Sequence, residues 1–277
     1  DRPGGAFAAR RRPSCIMKQI SSSANPLYKS WLRLSRQSSP HDGLLLEGVH
    51  VCQSWLLRFG QPRWALFKGG SQDNAEVSAL AGVIPSDRQA WLDARLMRSL
   101  SSLSSEPAVI SVADLPKPTP AEPRFESAVV LDAVQDPGNV GTILRNAAGA
   151  GIKHVLAGPG TAGCWSAKAL RAGQGAQFSL SIQESVDLDV WLNALVNTKT
   201  EVAERPLVLA TTLADDSKPL FDLRLPDSVI WLFGHEGRGV DPALGQIADH
   251  RVYIPHDRAA AESLNVAFVV AFCLFEH

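Results

Sequence analysis

The chain has 277 residues, 45% of them hydrophobic, and a formal net charge of −1. Such a chain buries one large core, or one of about 150 residues beside a smaller one, and near-neutrality excludes a protein that is basic over its whole surface. No apolar run reaches the roughly 20 residues a membrane span requires; the four cysteines (Cys15, Cys52, Cys164, Cys273) lack metal-type spacing and no basic-then-apolar leader opens the chain, so the expectation is a cytoplasmic protein without a metal site.

In chain order, residues 1–24 read as an extension, DRPGGAFAARRRPSCI before Met17, and a flexible N-terminus. Residues 25–115 read as a small alternating α/β unit. Within it NPLYKSWLRLS predicts a helix, LLLEGVHVCQSWLLRFG a strand running into a helix, and RWALFKG another strand. A helix from Ser86 to Ser99 and the strand AVISV complete the unit. Residues 1–120 carry a formal +6 and the remainder −7, a mild asymmetry that suits phosphate contacts or simply a solvated face. Residues 116–123, PKPTPAEP, hold four prolines in eight positions and predict an extended linker.

From residue 124 to 277 the alternation becomes regular. AVVLDAV, HVLAG, FSLSI, LVLATTL, VIWLFG and RVYIP are nearly continuous apolar runs, separated by the helical stretches NVGTILRNAAGAG, WSAKALRAGQGA, DLDVWLNALV and DPALGQIA. That pattern predicts a parallel sheet covered on both faces. The last stretch, SLNVAFVVAFCLFE, is apolar nearly all round and predicts a helix buried in the core or in a subunit interface.

Ligands of such sheets bind beyond the carboxyl ends of the strands, and three strand-exit segments carry unusual chemistry. The first runs from Asp136 to Asn146: Asn139 is a candidate helix cap, Gly141 admits a neighbouring backbone, and Arg145 follows six residues after Asn139. A plain turn, cap and surface arginine would read the same way. In the second, Phe233 to Gly239, three glycines in six positions suggest backbone drawn close to a ligand, with Glu236 placed to meet it and His235 as a loop residue; a Gly-rich turn is the simpler alternative. In the third, Ser263 or a neighbour caps the last helix, and Asn265 inside that apolar helix would need a hydrogen-bond partner.

Together the three segments resemble, in order and spacing, the three motifs of the SpoU (TrmH-like) family of the SPOUT methyltransferases. Asn139, Gly141 and Arg145 match the first, Gly234 and Glu236 the second, and Ser263, Leu264 and Asn265 the third, over roughly residues 126–276. More weakly, NPLYKSWLRLS and LLLEGVHVCQSW resemble the L30e-like substrate-binding domain that many members carry. The segment His256–Ala261 departs from the family pattern, being one residue longer and lacking its glycine.

The resemblance implies an α/β protein: an L30e-like RNA-binding domain at 25–115, the linker 116–123, and a catalytic domain at 124–277 whose parallel sheet ends in a deep trefoil knot. It implies methylation of a ribose 2′-hydroxyl in structured RNA with S-adenosylmethionine as cofactor, in a homodimer, with ribosomal RNA favoured over transfer RNA. Arg145, Asn139, Glu236, Ser263 and Asn265 would be the catalytic set, and Thr211, Gly234, Ile254 and Leu264 would hold the cofactor. Two other readings stay open: an RNA-binding relative without catalysis, and a dinucleotide-dependent oxidoreductase, because Gly158 to Gly163 spells G-x-G-x-x-G with Glu184 about twenty residues on.

Overall fold

The structure is a computed structural model that describes residues 18–37, 42–102, 106–117, 126–197, 205–257, 259–260 and 262–276. The extension before Met17 and most of the proline-rich linker lie outside the described residues.

The first half of the chain builds β1 (Gln19–Ile20), α1 (Pro26–Ser35), β2 (Leu44–Glu47), α2 (Val49–Phe59), β3 (Trp64–Lys68), α3 (Ala75–Val83), β4 (Gln89–Leu92), α4 (Ala94–Leu100) and β5 (Val109–Ala113). The strands form one sheet in the order β1-β4-β3-β5-β2, in which β5 is antiparallel to both neighbours. Asn25 starts α1 by accepting from the backbone N–H of Leu27 at 2.9 Å, and Pro26 needs no partner there. The helix expected from Ser86 to Ser99 is instead a strand followed by a helix. Every residue of β4 is buried, so the run has no alternation to mark it as a strand, and α4 starts only after Asp93. The strand β1 and the helix α3 carry too little pattern to have been predicted.

The second half builds β6 (Ala128–Leu131), α5 (Pro137–Gly149), β7 (His154–Ala157), α6 (Ala167–Gly173), β8 (Ser181–Glu184), α7 (Leu188–Val196), β9 (Leu207–Thr211), β10 (Lys218–Pro219), β11 (Val229–Phe233), α8 (Pro242–Ile247), β12 (His250–Tyr253) and α9 (Val266–Glu276). Its sheet is parallel throughout, in the order β10-β12-β9-β11-β6-β7-β8. Alternate residues of the strands feed two apolar layers. Val129, Leu131, Trp231 and Phe233 pack with residues of α5 and α9, while Val130, Ile230 and Leu232 pack with residues of α7 and α8. Both faces are therefore covered, which is why these strands read as unbroken apolar runs.

The two halves share one core. The layer that contains α5 continues into the first sheet through Trp55 and Phe178, whose rings meet edge to face at 5.4 Å. Two polar contacts frame that seam: Arg58 Nε donates to the carbonyl of Phe178 at 3.1 Å, and Arg171 Nη1 to that of Ser102 at 3.1 Å. The last helix is buried on one side only. Val266, Ala267, Val270, Cys273 and Leu274 face the core, whereas Phe268, Phe272 and Phe275 are 67%, 52% and 62% exposed.

Candidate functional site

The loops after β9, β11 and β12 and the start of α9 meet at the carboxyl edge of the parallel sheet, where they enclose a cleft of about 330 Å3. Thr211, Gly234, Ile254 and Leu264, expected to hold a cofactor, all line it, as do Glu236 and Ser263 of the expected catalytic set. Asn139 and Asn265 stand directly beside it, Asn139 hydrogen-bonded to Glu236 and Asn265 to Asn139.

Those bonds form a chain. A carboxylate can only accept, so Asn139 presents Nδ2 to Glu236 Oε1 at 3.1 Å, which leaves Asn139 Oδ1 to accept from Asn265 Nδ2 at 3.1 Å. Asn265 then spends its own Oδ1 on the backbone N–H of Ala267 at 2.9 Å. It is thus the cap of α9 and exposed, not a residue inside that helix as the sequence suggested. Glu236 also accepts from the backbone N–H groups of Gln135 (3.2 Å) and Asp136 (3.3 Å), tying the loop after β11 to the loop after β6. Burial, the largest single influence, pushes the Glu236 carboxyl upward. Donors from its own backbone, Asn139, Gln135 and Asp136 outweigh it, and the carboxyl titrates below the ordinary glutamate value.

The cap of α5 is Asp136, not Asn139. Its Oδ1 accepts from Asn139 N at 2.9 Å and its Oδ2 from Lys168 Nζ at 2.6 Å, contacts that hold its carboxyl below the usual range, Lys168 contributing most. An Asp-Pro pair is a helix-start signature, so this cap was there to be read. Arg145 falls in the third turn of α5, exposed and making no hydrogen bond or ion pair with the described residues; it does not line the cleft. Gly141 does admit a backbone: a Cβ there would overlap the carbonyl oxygen of Ala169 and lie 2.7 Å from Ala172 Cβ on α6.

Gly234, which lines the cleft, is also tightly packed within its own turn. A Cβ on it would strike the backbone of Gly239 and Val240. The alternative G-x-G-x-x-G segment does not lead into a helix. Gly163 is followed by three residues before α6, which Ser166 caps, and Glu184 accepts from the backbone of Cys164 at 2.7 Å. No helix amino end is free there for a pyrophosphate.

The donor set fits a nucleoside-bearing cofactor such as S-adenosylmethionine. Val252, Ile254, Leu264, Val266 and Val269 supply an apolar wall for a base, and Thr211, Thr212 and Ser263 supply hydroxyls. His256, which the sequence marked only as the start of the divergent segment, lines the same cleft; its Nδ1 bonds the carbonyl of Ile254 at 2.8 Å, and its Nε2 is buried without a partner among the described residues.

The SpoU rRNA methylase family model matches residues 126–275. The 23S rRNA (guanosine(2553)-2′-O)-methyltransferase RlmP of Bacillus subtilis is 29% identical over 266 residues, covering 94% of this chain and 98% of that protein. The 23S rRNA (guanosine-2′-O-)-methyltransferase RlmB of a Burkholderia species is 33% identical over 53% of this chain and 57% of its own length. Among solved structures, an RNA 2′-O ribose methyltransferase superposes with a TM-score of 0.78 at 25% identity, covering 93% of this chain and 97% of that one. The AdoMet-bound rRNA methyltransferase of Sinorhizobium meliloti has the same fold, with a TM-score of 0.77 at 24% identity over 94% and 96% of the two chains.

Proposed function

From the premise that this chain belongs to the SpoU rRNA methylase family and is an S-adenosylmethionine-dependent RNA 2′-O-methyltransferase, we propose that it methylates a ribose in ribosomal RNA. The observation that carries the reading is the hydrogen-bonded chain Glu236–Asn139–Asn265, which draws the three motifs to one edge of one cleft. Likeness to RlmP over nearly the whole of both chains supports a ribosomal substrate, because it includes the first sheet as well as the parallel one. We assign residues 25–115 to RNA binding, 116–123 to a linker and 124–277 to catalysis. The return of α9 onto α5 after β12 is read as the trefoil knot.

When bound, the cofactor supplies a methyl group on a sulfonium. The chain's own task is to align a ribose hydroxyl with that methyl and to make the hydroxyl a better nucleophile. Thr211, Gly234, Ile254 and Leu264 hold the cofactor, and Asn139, Glu236, Ser263 and Asn265 set the wall on which the ribose rests. Arg145 is assigned to the acceptor. A guanidinium is a poor base in water, so its unpaired charge acts by gripping the phosphate beside the hydroxyl and by stabilising the developing oxyanion. The chain is further read as a homodimer, with the exposed Phe268, Phe272 and Phe275 of α9 as the shared face.

Mapping ribose methylations in ribosomal and transfer RNA from cells with and without the gene tests the substrate. Loss of one ribosomal 2′-O-methyl mark is the expected result; loss of a mark in transfer RNA alone would refute the choice of substrate. A 2′-deoxynucleotide at the mapped position should end methyl transfer while RNA binding persists.

A further inference from the structure

Only two of the described side chains lining the cleft carry full charges at neutral pH, Glu236 and Arg238. The carboxylate of Glu236 is already committed to Gln135, Asp136 and Asn139. Arg238 is exposed, and its side chain makes no hydrogen bond or ion pair with the described residues.

Its backbone is fixed all the same. His235 and Gly239 exchange backbone hydrogen bonds of 3.0 and 2.8 Å across the turn, and Gly239 has a φ of +72°. Inside the turn, Nδ1 of His235 accepts from the backbone N–H of Gly237 at 2.9 Å and of Arg238 at 3.3 Å. An accepting Nδ1 places the ring proton on Nε2. A free guanidinium is therefore carried on a tightly latched turn at the cleft, an arrangement that lowers the cost of ordering a ligand contact.

S-adenosylmethionine brings a sulfonium, an ammonium and a carboxylate. Only the carboxylate complements a guanidinium, and it can do so through two parallel hydrogen bonds. We propose that Arg238 binds the α-carboxylate of the cofactor's methionine tail, and that His235 is the positioning residue that holds the turn for it. The proposal rests on the reading of this cleft as the S-adenosylmethionine site.

Isothermal titration of the full chain with S-adenosylhomocysteine and with 5′-methylthioadenosine, which lacks the amino-acid tail, tests it. Arg238→Ala should weaken S-adenosylhomocysteine roughly ten- to hundredfold, as for the loss of a charged hydrogen bond, and leave 5′-methylthioadenosine unchanged. His235→Ala should show the same tail-specific loss, and His235→Asn, whose side-chain oxygen can accept the same N–H groups, should recover most of it. Unchanged S-adenosylhomocysteine affinity in Arg238→Ala overturns the proposal, and a raised KM for RNA in that variant would reassign the residue to an RNA phosphate. Equal loss for both compounds also overturns it, because the damage would then be to the turn. If the unaltered protein bound neither compound, the reading of the cleft itself would fall.

Discussion

Asn265 Nδ2 donates to Asn139 Oδ1 across 3.1 Å, joining the cap of the last helix to the first turn of α5 over 126 positions of sequence. The bond uses the one acceptor that Asn139 has left after serving Glu236, so each amide in the chain is held in a single orientation.

Asn139→Ala should therefore do more damage than its size suggests. Glu236 loses one donor, Asn265 loses its acceptor, and the loops after β6 and β11 lose a tie. Methyl transfer should fall about a hundredfold or more, in the range seen when one preorganised hydrogen-bonding group is removed, while thermal stability drops by only about 1 kcal/mol. Steady-state kinetics and a melting curve give both numbers; unaltered turnover would remove Asn139 from the site.

Arg145→Ala should abolish methyl transfer with little other effect. The side chain is exposed and unpaired among the described residues, so stability should stay within roughly 0.5 kcal/mol. Cofactor affinity by titration should stay within a few-fold, since Arg145 is outside the lining of the cleft. A matching loss of cofactor binding would make it a structural residue.

Acid should expose the role of Glu236. Its folded pKa lies below the ordinary value of roughly 4.3, so its carboxylate contributes stability that is fully present above that value and is lost as pH falls through the folded pKa. Melting temperatures of the unaltered protein and of Glu236→Gln, taken from pH 7 downward, should differ most at neutral pH and converge in acid. A gap that widened on acidification would contradict the assignment.

Gly141→Val should force α5 away from α6. The added side chain meets the carbonyl of Ala169 and the methyl of Ala172, an overpacking that costs about 1–3 kcal/mol. Because α5 carries Asn139, cofactor titration should weaken along with the melting temperature. An unshifted melting temperature would mean that the helices yield more easily than their contact suggests.

On the proposed homodimer reading, Phe272→Asp should separate the subunits. Phe272 is 52% exposed on the face that also bears Phe268 and Phe275, and a desolvated carboxylate there has no partner. Light scattering should report a dimer for the unaltered protein and a monomer for the variant. A monomer in both cases would end the dimer reading.

Much of this was legible in the chain. The parallel sheet announced itself because strands such as β11 are buried on both sides and carry no polar residues, and Gly141 was read for the right reason. Where the signal failed, the physics was local. In β4, Gln89 to Leu92 are all buried, so nothing distinguished strand from helix. Asn265 looked interior to α9 because the apolar run hides where the helix begins, and only its bond to Ala267 shows the cap. The meeting of Asn139, Glu236 and Asn265 was not written in spacing at all; family resemblance supplied it. His256 was marked only as the start of a divergent segment and Arg238 was given no role, since a histidine or arginine in a loop has no pattern until the cleft around it is seen.

The seam of Trp55 and Phe178 also bears on how the molecule comes apart and, on the proposed assignment of residues 25–115 to RNA binding, on how it would measure its substrate. An apolar cluster that runs unbroken through both sheets couples their melting, so calorimetry should record one cooperative transition and not two. If residues 25–115 bind RNA as proposed, the same continuity would make the first sheet a fixed gauge: an RNA feature gripped there would be held at a set distance from the cleft, and the nucleotide at that distance would be the one presented for reaction.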